Sequence, residues 1–246
     1  MDKFEREKER ELYTAKIDFF TNVAHEIRTP LTLIKSPLEN VLASQSVSDD
    51  IRDDLETMEL NTNRLLDLVN QLLDFRKTET QGFQLNFVEC DVSELLQKTY
   101  KRFKSLARER GLALSIETPE SLYASVDREG LTKIISNLLT NAIKYSETYI
   151  RIRLYSEGER LLLSVCNDGL VIPVEMREEI FKPFIQYKTG TLRSVPGTGI
   201  GLALVRSLAE LHEGTLCMED SMENNCFLLS LPLRHEQTVV VEHKNR

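Results

Sequence analysis

The sequence predicts an α+β chain in two parts, an N-terminal helical hairpin followed by a two-layer α/β sandwich. In the first third of the chain, apolar residues recur at steps of three, four or five, which is the spacing of a helical stripe rather than of a strand. Beyond Gly82, short apolar or alternating runs typical of strands are interspersed with helical patterns. Helices and antiparallel strands grouped in this way favour a two-layer sandwich.

Two long helices are predicted in the first part. One apolar stripe runs from Leu12 to Val41 and the second from Ile51 to Leu72, with Ser48 as a candidate cap of the second helix. The polar segment between them, SQSVSDD, is short, so the helices are expected to be antiparallel. A two-helix hairpin covers little of so wide a stripe. We therefore expect a second copy to complete a four-helix bundle, which makes the chain a homodimer.

The second part alternates between strands and helices. Its segments follow a linker near Gly82 and end before a tail, HEQTVVVEHKNR, that is expected to be extended or loose. The predicted domains are 1–81, 82–235 and a C-terminal tail, 236–246. The predicted strands are 85–92, 112–118, 149–155, 161–167 and 226–233, and the predicted helices are 92–110, 128–145 and 202–212.

Charge and composition exclude some classes of protein. The 246 residues carry a formal net charge of −8, with a pI of about 5.2, which disfavours a nucleic-acid binder. No run approaches the roughly 18 apolar residues of a membrane span, so no direct membrane contact is expected. The charged, helix-like start suggests a piece of a longer polypeptide.

The four cysteines form no CxxC pair, and we expect free buried thiols in a reducing compartment.

The first chemical constellation is FFTNVAHEIRTPLTLI. His25 lies about 200° around the helix from Val23 and is expected to face solvent, where a neutral imidazole nitrogen is a usable nucleophile. Glu26 is placed either to hold the other ring nitrogen or to take its proton. Thr29 shares the face of His25, one turn on, and Pro30 is expected to bend the helix. Alone, His25 is better interpreted as an ordinary exposed histidine beside a surface Glu26.

The second constellation is ISNLLTNAIKYS. Asn137 and Asn141 are four residues apart and share a helical face, with Lys144 and Tyr145 close by. Amide oxygens suit Mg²⁺ bridging to phosphates, and Lys144 offers charge to a phosphate. Alone, this pattern also fits an ordinary polar helix face.

Two glycine-containing segments follow. In NDGLVIP, an amide or carboxylate at the end of a strand can read an exocyclic amine of adenine from a buried position. In GTGIGLALV, three glycines precede a helix, whose N-terminal amides and dipole favour phosphate. Between the two, IFKPFIQYKTGTLRSVP places Phe181 and Phe184 at a joint to the polar loop Gln186–Pro196. That loop is expected either to close over a nucleotide or to be a plain surface loop.

These blocks, in this order, resemble the sensor histidine kinases of two-component systems from about Phe19 to Leu233. HEIRTP is similar to the phosphoacceptor motif, NLLTNAIKYS to the asparagine box, IFKPF to the phenylalanine box and GTGIGLAL to the second glycine box. The resemblance implies an ATPase module of the type shared with gyrase and mismatch-repair ATPases. It implies ATP and Mg²⁺ as cofactors and a response-regulator receiver domain as partner. It also implies a cytoplasmic portion of a parent anchored in the inner membrane.

The resemblance also implies residue roles. His25 would accept the γ-phosphoryl group, Glu26 would activate it, and Thr29 would assist dephosphorylation of the regulator. Asn141 would bind magnesium with help from Asn137. The residues expected around the nucleotide are Asn137, Asn141, Lys144, Tyr145, Asn167, Asp168, Gly169, Ile172, Phe184, Lys188, Arg193, Gly197, Thr198, Gly199, Ile200, Gly201 and Leu202.

The first glycine box departs from the family pattern D-x-G-x-G. Asn167 stands at the position of the Asp, Asp168 follows one residue late, and Val171 stands at the second glycine. An Asn oxygen still accepts a hydrogen bond from the adenine amine but loses charge assistance worth about 1 kcal/mol. Val171 does not readily adopt a positive φ, so the turn is expected to differ from the usual one.

Three alternative hypotheses remain open from the sequence. The first is a degenerate kinase that acts mainly as a phosphatase or nucleotide-sensing scaffold. The second is a gyrase-type or mismatch-repair-type ATPase, although those enzymes place a catalytic Glu where this chain has Asn137. The third is a structural helical dimer with an inert α/β cap.

Overall fold

The computed structural model describes residues 23–24, 26–43, 48–79, 84–187, 199–219 and 223–235. The chain divides into two compact units, Met1–Gln81 and Gly82–Arg246. The first unit is helical and the second is a mixed α/β unit, so the predicted α+β class is confirmed. None of the described helices combines the length and apolar character needed to cross a bilayer.

Two helices form the described part of the first unit. Helix α1 covers residues 26–42 and continues a short helical stretch at 23–24, while α2 spans Asp49–Glu79. Ala24 and Leu31 of the first helical segment pack with Val69 and Leu73 of α2 in a small buried cluster. This apolar contact joins the two helices, as expected of a hairpin.

The predicted stripe divides between buried and exposed positions. Leu31 and Leu38 are buried within the unit, but six apolar side chains at seven-residue intervals along the two helices are between 41% and 55% exposed. These are Ile27, Ile34 and Val41 on α1, and Ile51, Met58 and Leu65 on α2. A seven-residue apolar repeat is typical of a helix that packs against further helices.

The described residues of the second unit form two sheets and three α-helices. The strands are β1 (Phe87–Asp91), β2 (Ala113–Glu117), β3 (Tyr123–Asp127), β4 (Tyr149–Glu157), β5 (Arg160–Asn167), β6 (Thr215–Met218) and β7 (Asn225–Pro232). The helices are α3 (Val92–Glu109), α4 (Arg128–Tyr145) and α5 (Gly201–Leu211). Strand β1 pairs with β3, and the other five strands form a sheet in the order β2-β4-β5-β7-β6. Only β2 and β4 are parallel neighbours among these described pairs.

The core lies between one face of the large sheet and the helices. Alternate residues of β4 and β5, such as Ile150, Ile152 and Leu161, are fully buried. Arg151 and Arg153, which alternate with them on β4, are exposed. Helices α4 and α5 contact each other and the sheet, which gives the two layers of the sandwich.

The boundaries of α3 and α4 follow from their caps. Asp91 and Asp127 end the two strands of the small sheet, and each side chain accepts a hydrogen bond from a backbone N–H of the following helix, at Glu94 and Gly130 respectively. An aspartate in this position satisfies an amide that the helix itself leaves unpaired. The prediction of a helix at 128–145 is therefore confirmed at both ends.

Two strands escaped the sequence prediction. Strand β3 is only five residues long, and its sequence YASVD has no strong apolar alternation. Strand β6 has four residues, TLCM, at the edge of the large sheet. Runs this short carry too few positions to establish a two-residue period, so tertiary pairing decides their conformation.

The expectation of four free buried thiols is wrong. Cys166 and Cys226 form a disulfide, Cys90 is free and buried, and Cys217 is free but exposed. Cys166 and Cys226 face each other directly across the antiparallel pair β5–β7, with Cα atoms 4.0 Å apart. The two residues are 60 positions apart in sequence, and only the strand register brings them together.

Candidate nucleotide site and phosphoacceptor helix

Asn137 on α4 lies against the start of α5. Its amide Nδ2 donates to the carbonyl oxygen of Lys133 at 2.8 Å, one turn back on the same helix. A Cβ at Gly201 would lie 3.0 Å from Asn137 Oδ1. The structure therefore brings two blocks that are about sixty residues apart in sequence, the asparagine pair and the second glycine segment, to one place.

The N-terminus of α5 differs from those of α3 and α4. Among the residues that the structure describes, no side chain caps it by a hydrogen bond, although aspartates cap the other two helices. The first backbone amides of an uncapped helix point outward, and the helix dipole adds partial positive charge at that end. With Gly201 at the first position, the amides of this turn are open to close approach by an anion.

A backbone hydrogen bond joins the phenylalanine segment to the second glycine segment. The N–H of Phe184 donates to Gly199 O at 2.9 Å. Phe184 and Gly199 both have positive φ angles, of 67° and 71°. A Cβ at Gly199 would approach Ile185 O and Phe184 C to 2.8 Å. Glycine is therefore required at 199 by both its conformation and its neighbours.

Phe181 fixes the other end of this segment. Its ring is buried and lies edge-on to Phe227 of β7, with centroids 6.2 Å apart. The guanidinium of Arg206 on α5 lies 5.4 Å from the centroid of the Phe181 ring and also pairs with Glu178 at 2.9 Å. These contacts tie the residues before Phe184 to both α5 and the sheet.

The turn after β5 is held by Asn225, a residue that the sequence prediction missed. Asn225 is 3% exposed and pairs with Asn167 in the register of β5 and β7. Its Oδ1 accepts the N–H of Ile172 at 2.9 Å, and its Nδ2 donates to Leu170 O at 2.8 Å. One side chain thus fixes both limbs of the turn at 168–172, but the pairing that places it there has no local sequence signal.

Gly169 is required by a close approach between backbones. A Cβ at this position would lie 1.7 Å from Tyr145 O, at the C-terminal end of α4. The turn therefore packs directly on the helix that carries Asn137 and Asn141. Val171 is absent from the described residues with positive φ, so the turn forms without a left-handed residue at that position.

Asn167 ends β5 in a buried position. The residue is 2% exposed, and among the residues that the structure describes its Nδ2 has no hydrogen-bond partner. An unpaired buried amide lowers stability, and most buried polar groups in folded proteins are paired. The atom lies 3.1 Å from where a Cβ of Gly169 would be, beside the end of α4.

Asp168 is engaged by the connection between α4 and β4. It accepts hydrogen bonds from the backbone N–H groups of Glu147, Thr148 and Tyr149 and from the Thr148 hydroxyl. Burial raises the pKa of this carboxyl, but these hydrogen bonds outweigh burial and lower the pKa from 3.8 to about 2. Asp168 is thus an ionised anchor for the loop next to the turn.

The remaining predicted residues of α4 are partly accessible. Asn141 and Lys144 are half-buried, and the Nζ of Lys144 lies 4.7 Å from the ring centroid of Tyr145, which is 45% exposed. Ile200, just before α5, is buried. Lys188, Arg193, Gly197 and Thr198 lie outside the described residues, as does most of the loop predicted at 186–196.

On the helix expected to carry the phosphoacceptor, His25 itself lies outside the described residues. Its neighbours Glu26 and Thr29 are exposed on helical backbone. Arg28 Nη2 donates to Asn70 Oδ1 at 2.7 Å and so links this part of α1 to α2. Glu26 and Thr29 are therefore accessible on a segment that is fixed to its neighbour.

His212 is a second residue that sequence reasoning missed. It is fully buried; its Nε2 accepts the N–H of Asp127 at 3.1 Å, and its Nδ1 contacts Leu208 O at 2.7 Å. Burial lowers its pKa. The neutral ring, with the proton on Nδ1, satisfies both contacts and connects the end of α5 to the cap of α4. It therefore supports the two helices that meet at Asn137 and Gly201.

Among the described residues, one cluster has donors that suit a metal: Cys166, Glu219 and Cys226. The disulfide occupies both sulfur atoms of this cluster. The asparagine oxygens of α4 therefore remain the better candidates for a divalent cation, which in nucleotide sites prefers oxygen ligands.

Comparison with known proteins gives two family models. Residues 15–81 match the "His Kinase A (phospho-acceptor) domain", and residues 126–235 match the "Histidine kinase-, DNA gyrase B-, and HSP90-like ATPase". Together these two matches cover most of the chain. They are the two module types predicted from the sequence motifs, in the predicted order.

The curated relatives are longer histidine kinases. The chain is 36% identical to sensor histidine kinase TmoS of Ectopseudomonas mendocina over 92% of this chain and 24% of that protein. It is 34% identical to hybrid signal transduction histidine kinase D of Dictyostelium discoideum, over 92% and 15% respectively. It is 30% identical to sensor histidine kinase WalK of Bacillus subtilis, over 89% and 37%. The chain thus spans well under half the length of these relatives.

Solved structures share the fold. Full-length ShkA in complex with AMPPNP aligns with a TM-score of 0.74 at 23% identity, over 87% of this chain and 45% of that one. Histidine kinase ThkA in complex with response regulator protein TrrA aligns with a TM-score of 0.63 at 25% identity, over 94% and 66%. With an ATPase fold that gathers the asparagine and glycine segments and a phosphoacceptor-type helix before it, this chain belongs to the sensor histidine kinases of two-component systems.

Proposed function

We propose that this chain is an ATP-dependent autokinase that phosphorylates His25 and passes the phosphoryl group to an aspartate of a response-regulator receiver domain. The observation that supports the proposal is the contact of Asn137 with Gly201, because a side-chain oxygen suited to Mg²⁺ lies there beside a helix N-terminus without a described side-chain cap. Oxygen ligands for Mg²⁺ and backbone donors for phosphate oxygens together suit a phosphate chain bridged by Mg²⁺.

In the nucleotide half, Mg²⁺ held by Asn141 and Asn137 would neutralise charge on the phosphates of ATP. Asn137 Nδ2 is committed to Lys133 O, which leaves its oxygen directed at the start of α5. The amides of the first turn of α5 bind phosphate oxygens, and Lys144 adds a positive charge. The base lies at the end of β5, where Asn167 is buried.

In the phosphoacceptor half, His25 attacks the γ-phosphorus as a neutral imidazole. Glu26 next to it stabilises or accepts the ring proton as the new N–P bond forms, and ADP leaves. Transfer of this kind depends mainly on positioning and charge neutralisation. Thr29, exposed one turn on, is proposed to assist hydrolysis of the phosphorylated regulator.

The helical unit is proposed to be a dimerisation and phosphotransfer domain at 1–81, with the catalytic domain at 82–235 and a tail at 236–246. The six exposed apolar side chains at seven-residue intervals on α1 and α2 support a four-helix bundle with a second copy. Sedimentation of the chain as a monomer at micromolar concentration would contradict this part of the proposal.

A receiver domain is proposed as the partner, in line with the solved complex of histidine kinase ThkA with response regulator protein TrrA. The parent polypeptide is proposed to be anchored in the inner membrane, with this chain on its cytoplasmic side. No nucleic-acid partner is proposed, because the chain carries a net charge of −8.

The function is tested by incubating the full chain with γ-labelled ATP and Mg²⁺. We expect labelled protein whose label is lost in acid and stable in alkali, and no label in His25→Gln. Asn141→Ala should abolish labelling through the loss of a magnesium ligand, whereas Asn86→Ala, an exposed asparagine just before β1, should leave it unchanged. Label that persists in His25→Gln would contradict the assignment.

One observation favours a second candidate, a degenerate kinase that acts mainly as a phosphatase or scaffold. Asn167 and Val171 replace the usual Asp and Gly of the first glycine box. This candidate predicts dephosphorylation of a phosphorylated receiver that needs Thr29 but no labelling from ATP. Labelling of the wild-type chain at a measurable rate would exclude it.

A further inference from the structure

Three side chains with atoms that bind metals lie in one row across three strands of the large sheet. Cys166 of β5 faces Cys226 of β7 in the strand register. Glu219, directly after β6, continues the row, because its N–H donates to Cys226 O at 2.9 Å. The two sulfur atoms and a carboxylate oxygen all lie within 4.8 Å of one another. Three ligand atoms as close as this can share a single ion.

The row lies on the face of the sheet opposite the core. Both neighbours of Cys166 along β5 are buried, and its register partner on β4 is the exposed Arg151. Cys166 and Glu219 are themselves half-buried, and Cys226 is 9% exposed. An ion therefore reaches the three side chains from solvent without entering the core or the candidate nucleotide site.

The carboxylate of Glu219 is oriented by a serine two strands away. Ser164 Oγ of β5 donates to Glu219 Oε2 at 3.2 Å and lies 3.5 Å from Cys166 Sγ. Ser164 is 5% exposed, so its hydroxyl is held within the sheet surface. Hydrogen bonds of this kind orient the side chains that bind a metal and raise its affinity. The serine thus connects two of the three candidate ligands.

Two thiolates and one carboxylate select a thiophilic cation. Zn²⁺ binds sulfur and carboxylate oxygen in tetrahedral sites, whereas Mg²⁺ and Ca²⁺ prefer oxygen ligands alone. The three negative charges of these groups exceed the two positive charges of Zn²⁺. The cation of Arg151, next to Cys166 in the register, offsets the remaining charge. Water from the solvent side would complete a tetrahedral site.

We infer that Cys166, Cys226 and Glu219 form a Zn²⁺ site that becomes available when the disulfide is reduced. A small-molecule dithiol supplies the two electrons: its two thiols become one disulfide, and the two protein sulfurs become thiols. Zn²⁺ then binds both sulfurs and displaces their two protons. Because the same sulfur atoms form the disulfide, oxidation and metal binding exclude each other. The inference is independent of the proposed kinase reaction, which uses Mg²⁺ at asparagine oxygens of α4.

The test is anaerobic titration of the full chain with Co²⁺, after reduction with dithiothreitol and removal of the reductant. Co²⁺ replaces Zn²⁺ in thiolate sites, and its bonds to sulfur give a charge-transfer band in the near ultraviolet. For the reduced wild type we expect one Co²⁺ per chain, a band with the intensity of two thiolates, and loss of the band when Zn²⁺ is added. The chain with its disulfide intact should give no band.

Variants identify the ligands. Cys166→Ser should lose the two-thiolate band. Glu219→Gln should weaken Zn²⁺ binding by at least about tenfold, since loss of even an outer hydrogen-bond partner of a ligand costs about 10–100-fold in affinity. The matched control is Cys217→Ser, which removes an exposed free thiol of β6 that is not a member of the cluster. It should retain both the band and the affinity.

A reduced wild type without a thiolate–cobalt band, or an oxidised chain that binds Co²⁺ equally well, would overturn the inference. Loss of the band in Cys217→Ser, or an unchanged band in Cys166→Ser, would overturn it as well. Should Cys166→Ser fail to fold, the comparison of reduced and oxidised wild type decides the question alone. None of these results affects the labelling from ATP that tests the proposed function.

Discussion

The carboxylate of Asp168 allows a quantitative test of how the turn beside the candidate base site is held. Burial raises the pKa of this carboxyl, but hydrogen bonds from four donor groups of the loop 147–149 outweigh burial and lower the pKa from 3.8 to about 2. Such a shift corresponds to about 2.5 kcal/mol of preference for the ionised folded state. Because Asp168 is partly exposed, solvent screening reduces the expected contribution to about 1–1.5 kcal/mol.

Two substitutions of Asp168 separate the contribution of its charge to stability from that of its hydrogen-bond acceptors. Asp168→Asn keeps one acceptor oxygen and removes the charge, so it should lower the free energy of unfolding at pH 7 by about 1–1.5 kcal/mol. Asp168→Ala leaves the backbone N–H groups of the loop without this partner and should lower it by about 2–3 kcal/mol. Glu157→Gln, which neutralises an exposed carboxylate at the end of β4, is the control and should stay within about 0.5 kcal/mol of wild type.

The dependence on pH distinguishes this mechanism from a packing effect. A group whose folded pKa is depressed contributes full stability above its unfolded pKa of 3.8 and loses that contribution as the pH falls through about 2. Urea denaturation should therefore give a difference between wild type and Asp168→Asn that is constant above about pH 5 and shrinks as the pH is lowered from about 5 to about 2. A difference that stays constant across this range, or no difference at pH 7, would refute the reasoning.

Three further predictions concern other parts of the second unit. The free energy of unfolding should fall as the pH drops below 6.5, because His212 takes up a proton in the unfolded chain but not in the folded one, where its buried ring accepts the Asp127 N–H. His212→Gln should make this dependence on pH less steep. An unchanged dependence in urea denaturation would count against the prediction. Gly199→Ala should weaken ADP binding by at least about tenfold, since a Cβ there meets two backbone atoms at a positive φ, and calorimetry showing wild-type affinity would contradict this. Reduction of the disulfide between Cys166 and Cys226, which closes a separation of 60 residues, should lower the free energy of unfolding by about 2–4 kcal/mol, and equal denaturation midpoints with and without reductant would argue against the bond.

The helices were the most predictable elements because their signals are local. The apolar periodicity predicted helices at 92–110 and 128–145, and the observed bounds of α3 and α4 follow these ranges closely. The short strands β3 and β6 were missed since each depends on a partner strand far along the chain. Their residues carry weak strand preferences that tertiary pairing overrides.

The residues of the candidate site also differ in whether a local sequence signal could identify them. Motif order alone indicated Asn137, Asn141 and the second glycine segment, and the structure places Asn137 against Gly201. Asn225 was missed because its function comes from its register opposite Asn167, which no nearby residue reveals. The disulfide was missed for the same reason, because sequence spacing carries no information on which strands are neighbours.

Asp168 shows how structure refines a role that a motif suggests. From the sequence it stands beside the base-reading position and is a candidate nucleotide ligand. In the fold, its carboxylate receives hydrogen bonds from Thr148 and the adjacent backbone amides. We therefore propose that it positions the turn, and that Asn167 is the residue that reads the base.

The central claim is that the γ-phosphoryl group of ATP is transferred to the imidazole of His25. It is tested most directly by incubating the full chain with ATP and Mg²⁺, digesting it at neutral to alkaline pH, and locating the phosphoryl group by tandem mass spectrometry. The account predicts one phosphoryl group on the peptide that contains His25, attached to the ring, and none when Asn141 is replaced by alanine. A phosphoryl group found only on a serine, threonine or aspartate, or an unmodified His25 peptide after full incubation, would contradict it.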